Sequence, residues 1–369
     1  MNVTLLTKNL VPVGIFDVFE SLIWKDKYCG EGDAEIVAAP TTNNVANLAN
    51  TYFMTIPDSD RTMVLEGLEI TSDVTNGNKL HAKAKSLESI LKRRDVWDGT
   101  TISGNIQTAI HRIITENAIS PSDSSRLLSR IVFADSTDPN VYNLTMAPYS
   151  CKGKNLYEVI LEICQLNNLG FKLTVVSGNF VFKLYAGTDR SVAIGQTPPV
   201  VFSPANNNLA SSTYNISTES LKTVILVEGT GDDGSIIRVT VNMPGGAGTD
   251  LDRRETYLDA GSSTNETLAY TPVYTEEQYS ASIAAKVAEY LALLEQKGAS
   301  ELASKTVEEK FEGQVTAGGT FVYNTHYFIG DIVQVADAYG HASDSRVIEY
   351  VNSQDSNGVK HYPTFAAIP

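Results

Sequence analysis

Few residues in this chain have the type and spacing that chemistry requires. Gly229, Gly231 and Gly234 stand at the intervals of the dinucleotide fingerprint G-x-G-x-x-G. In that fingerprint the glycines let backbone approach a pyrophosphate, and a helix N-terminus follows directly to receive its charge. Here Ile236, Ile237, Val239 and Val241 continue with the alternation of a strand, so the glycines read as a hairpin loop. His81, His111, His326, His341 and His361 show no HExxH, HxH or HxxxH spacing and define no zinc site. Cys29, Cys151 and Cys164 are odd in number and lack metal or nucleophile signatures, so they read as reduced, packing thiols. Glu276-Glu277 and Glu308-Glu309 are adjacent acids, whereas a glycosidase needs carboxylates facing each other across a bond. The basic run Lys92-Arg93-Arg94 is too short for a nucleic-acid stripe and suits the negative end of a helix. No catalytic, cofactor-binding or metal-ligating residue is assigned.

Composition narrows the class further. A chain of 369 residues has room for two or three domains with sizeable cores. Acids outnumber bases 43 to 28, and the resulting charge of −15 disfavours passive binding to nucleic acid or anionic membrane. No apolar run reaches the ~18–20 residues of a membrane span, so no stable membrane insertion is expected. Lys8 interrupts the apolar N-terminus and no small-residue cleavage site follows, so no signal peptide is expected. The sequons at Asn2, Asn143, Asn215 and Asn265 are then coincidental.

The elements that would position any site are mostly strands. The stretch Leu169–Arg190 is the clearest organising unit. Phe171, Leu173 and Val175 alternate, Ser177-Gly178-Asn179 turns, and Phe180, Phe182 and Leu184 resume. Leu156, Val159, Ile160 and Ile163 place a helix just before it, with Gly170 as a helix-ending glycine. Residues 14–39 read as two strands around a turn, a short helix spans about 44–52, and 62–85 form a hairpin around Asn76-Gly77. Ser86 is expected to cap a helix whose Leu87, Ile90 and Leu91 face inward. Ile102, Ile106, Ile110, Ile113 and Ile114 mark a second helix. A long helix is predicted over 276–297, with Thr275 and Gln278 as a capping box and Tyr279, Ile283, Val287, Leu291 and Leu294 as its apolar stripe; Gly298 is expected to end it.

This pattern predicts a mainly β protein with α+β parts: two small antiparallel β-barrel-like domains plus a mixed α/β domain. Residues 1–98 form the first barrel-like domain. Residues 99–199 form the mixed domain. Residues 200–248 are again strand and turn, followed by the long helix and then by strands to the end.

Seven stretches in this order carry a family resemblance: FDVFESLIWKDKYCGEGDAEIV, MVLEGLEITSDVTNGNKLHAKAKSLESILKRR, GKNLYEVILEICQLNNLGFKL, FVFKLYAGTDRS, VVFSPANNNL, RRETYLDA, and FIGDIVQVADAYG with SRVIEYVNSQDSNGVKHYPTF. Together, from about Phe16 to Phe365, they resemble the tail-hub protein of long-tailed siphophages and the N-terminal hub part of tail-associated lysins. More distantly they resemble the baseplate hub of contractile phages. The resemblance implies that 249–303 completes the mixed domain, with the helix at 276–297 packed against 99–199, and that 200–248 rejoin 304–369 as the second barrel-like domain. The resemblance implies a structural virion protein, a homotrimer that adapts the six-fold tail tube to a three-fold tip and leaves an axial channel for DNA. It implies contacts with tail-tube or distal tail rings, tip or fibre proteins and the tape-measure protein, transient passage of DNA without specific binding, no cofactor, and a place in the virion tail after assembly in the host cytoplasm. Lysin-bearing relatives continue into a peptidoglycan-cleaving domain, whereas this sequence stops at Pro369, so enzyme activity is not expected to carry over. A cell-wall hydrolase and a receptor- or carbohydrate-binding module are the competing functions.

Overall fold

In the strand Ser21–Lys27, Leu22, Trp24 and Asp26 turn inward while the residues between them face out. Ala34, Ile36 and Ala38 do the same in Asp33–Ala38. Such alternation produces half-buried strands that pair on their edges. The computed structural model describes residues 1–368 apart from 76, 98–100, 193–197, 232–234, 263–275 and 316–319.

Eleven strands share one sheet. From one end it runs Val201–Phe202, Ile332–Ala336, Ala342–Asp355, Ser21–Lys27, Asp33–Ala38, Gly77–Ser86, Thr62–Asp73, Phe53–Thr55, Val3–Leu6 and Pro12–Phe16, with Gly358–Ala367 also on Ala342–Asp355. The protein is mainly β with α+β parts, but the barrel-like segments do not close. The sheet has two free ends among the described residues, and one long strand joins the segments expected to stand apart. Ala342–Asp355 pairs through Ala342–Arg346 with Ile332–Ala336 and through Glu349–Gln354 with Ser21–Lys27. Two cores nonetheless persist. One gathers Val3, Leu22, Trp24, Ile36 and Leu80; the other gathers Phe202, Tyr327, Val333, Val347 and Phe365.

The mixed segment starts with a strand, Thr101–Asn105, so Ile102 lies outside the helix its spacing suggested. Asn105 caps the helix Ile106–Ile114 by accepting from Thr108 N–H, and a capped start fixes where the helix begins. Leu156–Leu166 precedes the hairpin Gly170–Val176 and Asn179–Tyr185, to which Ile131–Ala134 adds in parallel. Ser177 and Gly178 both have positive φ, the left-handed pair that matches strand twist in a two-residue turn. Asn168, not Gly170, takes the left-handed step after the helix. Ser86 makes no side-chain cap to the 3-10 helix Leu87–Arg93; its hydroxyl instead accepts from Gly32 N–H at 2.7 Å.

The chain divides into two compact units. The larger comprises 1–146, 150–214 and 310–368; the smaller is chiefly 215–309. In the smaller unit Val224–Thr230 pairs antiparallel with Ile236–Asn242 and parallel with Glu255–Ser262. Residues 224–242 therefore pair within this unit, and of the return to 304–369 that the resemblance implied, Val201–Phe202 makes one part by pairing with Gln334 and Val335.

The long helix is Glu276–Ala303, and it packs on these three strands rather than on 99–199. Its buried face is Tyr290, Leu294, Gly298 and Leu302, a four-residue repeat displaced from the expected stripe. Val287 is exposed and Leu291 half-buried; the side chains of Tyr279, Ile283 and Gln278, and residue Thr275, lie outside the described residues. Gly298 sits inside the helix because a Cβ there would lie 2.7 Å from Val227 Cγ2 and 2.9 Å from Val241 Cγ2. Its role is close packing, not termination.

Candidate functional site

The sequence-level candidates remain scattered. Gly229 lies in a strand where a Cβ would meet Tyr290 Oη and Leu294, and Gly231 N–H donates to Ser235 across a hairpin, so no helix follows to hold a phosphate. Gly234 lies outside the described residues. His81 meets Glu35 at 3.1 Å, His111 meets Asp135 at 3.6 Å, His341 meets Asp337 at 2.8 Å and His361 meets Asn352 at 2.7 Å; His326 accepts from Val322 N–H. Each has a separate partner, and no three His, Cys, Asp or Glu among the described residues could share a metal ion.

Burial pushes the Cys29 thiol up to about 12 and raises Cys151 and Cys164 as well, the reverse of what a nucleophilic thiolate needs. Lys92 binds Glu31 at 2.8 Å, Arg93 binds Glu66 at 2.8 Å and Arg94 donates to the Arg126 carbonyl at 2.6 Å. The side chains of Glu276, Glu277, Glu308 and Glu309 lie outside the described residues.

What the structure does build is a buried polar centre that the sequence reading missed. Asp26 occupies an inward slot of its strand, accepting from Trp24 Nε1 at 3.1 Å and Ser59 Oγ at 2.6 Å. Burial raises its carboxyl to about 6, although Arg61, Ser59 and Trp24 pull the other way. Arg61 is 4% exposed and pairs at 2.5 Å with Glu88, which is fully buried. The same guanidinium donates to the Lys27 carbonyl at 3.1 Å and Tyr185 Oη at 3.2 Å, while Glu88 accepts from Leu173 N–H at 2.8 Å. Burial works against the Arg61 charge, but Glu88, Tyr185, Asp60 and Asp26 outweigh it and hold the guanidinium protonated.

Tyr28 is the mechanical pivot beside this cluster. A Cβ on Gly170 or on Gly330 would lie 2.5 Å from its ring, so glycine at both positions admits the ring. Tyr185 meets it edge-on at 5.2 Å, Arg346 lies 4.9 Å over it, and its hydroxyl donates to the Asn168 carbonyl at 2.8 Å. Nearby, buried Asp331 pairs with Arg190 at 2.7 Å and accepts from the Thr188 and Phe328 N–H groups. Residues 26–31, 59–61, 88, 168–190 and 328–346 are thus tied together by charge and aromatic contact. Such a centre fixes distant segments in one register through the Arg61–Glu88 and Arg190–Asp331 pairs and the backbone groups they hold, and it leaves Glu88 Oε2 buried without a hydrogen-bond partner.

The surface carries the other distinctive feature. Among the described residues Pro12–Phe16 ends the sheet and pairs with Val3–Leu6 alone. Val11, Val13, Ile15 and Val18 are exposed along it, Ile15 at 63%. On Thr62–Asp73, Leu68, Ile70 and then Val74 are also exposed, beyond the part that pairs with Phe53–Thr55.

This open-ended assembly of strand-built cores is a fold shared with phage tail proteins. A tail protein from Neisseria meningitidis MC58 superposes with a TM-score of 0.56 at 11% identity, covering 99% of this chain and 96% of that one. The 43 kDa tail protein of prophage MuSo2 from Shewanella oneidensis superposes at 0.55 and 12% identity, covering 100% and 98%. Curated proteins offer no sequence match. The chain belongs to the Siphovirus ReqiPepy6 Gp37-like protein family, whose model matches residues 2–365. Its fold is one that these two solved phage tail proteins also adopt. Among its described residues no helix is long and apolar enough to cross a membrane.

Proposed function

We propose that this tail protein is the hub at the distal end of the tail: a homotrimer that adapts the six-fold tube to a three-fold tip around an axial channel. The observation that carries this reading is that one chain builds two separate strand cores on one sheet. Three such chains in closed symmetry offer six strand-built units to a six-fold ring. Tail-tube or distal tail rings contact one side, tip or fibre proteins the other, and the tape-measure protein the bore. The charge of −15 per chain suits a wall from which passing DNA is repelled, leaving transient transit without specific binding.

The hub acts without catalysis, its ionisable groups serving to fix segments. Cryo-EM of the assembled tail tip tests the reading: three copies around the axis are expected, and any other number overturns it. Zymography on purified cell wall tests the second half, where clearing by the pure chain would make it a hydrolase.

A further inference from the structure

We propose that the basic surface around Trp97 docks a second copy of this chain, seating that copy's exposed turn Asp250-Leu251-Asp252. The chain as a whole carries −15, yet cations without counter-charges gather here. Arg94 donates to the Arg126 and Arg93 carbonyls at 2.6 and 2.7 Å. Arg126 donates to the Asp95 carbonyl at 2.5 Å and to Asn117 Oδ1 at 3.3 Å. Arg93 bonds Tyr52 Oη, Lys8 lies 5.8 Å from the same ring, and Arg130 donates to the Lys8 carbonyl, so the surface is continuous. Of these five cations Arg93 alone pairs with a carboxylate among the described residues, that of Glu66. Asp95 and Asp123 lie beside the arginines, but Asp95 accepts from Asn155 Nδ2 and Asp123 from Ser125 N–H. Partial burial, then Arg126 and Arg93, hold the Arg94 guanidinium below its ordinary value, the mark of like charges crowded without relief.

Trp97 gives the surface its apolar centre. The indole is 61% exposed, and the Arg126 guanidinium lies 4.0 Å over its ring. Leu127, next in the chain, is exposed as well. Tryptophan and arginine dominate the energetic centres of protein interfaces, because both bury large area and bond directionally.

The turn is the counterpart. Leu251 is 89% exposed between Asp250 and Asp252, and neither carboxylate pairs with a cation among the described residues. The cations that follow are engaged, Arg253 with Glu255 at 2.6 Å and Arg254 with the Thr218 carbonyl. Gly248 lets the turn close, since a Cβ there would lie 2.6 Å from the Asp252 carbonyl oxygen. An apolar tip between two anions suits an exposed indole beside two arginines in both charge and polarity. Copies of a negative chain repel one another, so contact between them needs a cationic surface on one side, and this patch supplies one. The two patches differ, so the contact is heterologous and can close a ring. This inference rests on the trimeric reading above and names an interface for it.

The test uses the full-length chain. Light scattering over a concentration series compares wild type with Trp97→Ser, Arg94→Glu, Asp252→Arg and the control Tyr339→Ser, whose side chain is as exposed as Leu251. The first three are expected to need at least tenfold more protein to assemble, and the control to match wild type. Arg94→Glu combined with Asp252→Arg is expected to recover most of that loss, a rescue that a misfolded single variant cannot give. In parallel, Trp97→Cys and Leu251→Cys proteins are mixed and oxidised. Disulfide dimers are expected from the mixture and from neither protein alone, and the double variant is expected to give a ladder ending at three chains. A ladder ending at another number would defeat the trimer and keep the contact. Three-chain assembly that tolerates all three substitutions and yields no mixed cross-link would defeat the contact and keep the trimer. Wild type that stays single at every concentration, or a double variant that cross-links within one chain, would overturn the proposal. So would a single-stranded oligonucleotide whose gel shift is lost in Arg94→Glu, which would give the surface to nucleic acid.

Discussion

The two compact units solve the same packing problem with opposite materials. In the larger unit Asp26, Arg61, Glu88 and Asp331 are buried and tied to segments 33 to 143 residues away. In the smaller unit Thr223 is the one buried polar side chain among the described residues, held by Ala247 and Arg254 backbone. Its core is Ile225, Val227, Leu294 and Leu302, with Tyr290 reaching the Gly261 carbonyl at 3.1 Å. A helix on three strands needs only complementary apolar faces, because its backbone groups are satisfied within each element. A unit assembled from three stretches of chain needs register between them. Directional charge contacts supply that register at some cost in stability.

The largest effect that could break this comparison is at Arg61. Arg61→Leu strands Glu88 without its counter-charge and is expected to cost about 3–5 kcal/mol in chemical denaturation. Arg61→Leu combined with Glu88→Leu removes both charges and is expected to recover much of that loss. If the single substitution costs no more than a surface change, the polar centre does not hold the larger unit together.

In the smaller unit the matching probe is apolar. Leu294→Ala empties a fully buried site and is expected to cost about 2–5 kcal/mol, whereas Leu291→Ala, one turn away on a half-buried flank, is expected to cost under about 1.5. Equal costs would mean that the helix buries a different face from Tyr290, Leu294 and Leu302.

These two probes also mark what could be read in advance. Hairpins were legible wherever alternation met a turn with left-handed residues, as at Ser177-Gly178 and Gly358. The helix 276–303 was legible as an element, but its partner was not: apolar spacing says that a face is buried and not against what. Gly298 misled because a glycine near a helix end has two uses, termination and close approach, and only the positions of Val227 and Val241 decide between them. The polar centre was invisible because Asp26, Arg61 and Glu88 are ordinary surface residue types. The faint signal was Asp26 itself, which falls in the inward register of Leu22 and Trp24.

A pH titration sharpens the contrast from the polar side. The native Asp26 carboxyl stands at about 6 because burial outweighs its favourable partners, against roughly 3.9 for an unfolded aspartate. The folded chain therefore binds that proton more tightly, and stability from this group falls as pH rises from about 4 to about 6. Two units correspond to roughly 3 kcal/mol at most. Asp26→Asn is expected to gain stability relative to wild type across that window and to hold a constant difference above about pH 7. A difference that stays flat from pH 4 to 7 would mean that the carboxyl ionises as freely in the fold as outside it.

The smallest expected effect tests the apolar side at its closest contact. Alanine is a better helix former than glycine by about 0.8–1 kcal/mol, so Gly298→Ala at an exposed helical site would stabilise the protein. At this site the new methyl would fall 2.7 Å from Val227 Cγ2 and 2.9 Å from Val241 Cγ2. Both valines lie on paired strands, directly opposite residues of one another's ladder, Val227↔Val239 and Val241↔Ile225. β-branched side chains have little rotamer freedom, and the strands cannot retreat without disturbing that pairing. Overpacking typically costs about 1–3 kcal/mol, which exceeds the helical gain, so a net loss of about 0–2 is expected in thermal or chemical denaturation. A gain near 1 kcal/mol would show that Gly298 ends the ordered packing after all, and that the helix rests on the sheet through Tyr290 and Leu294 alone.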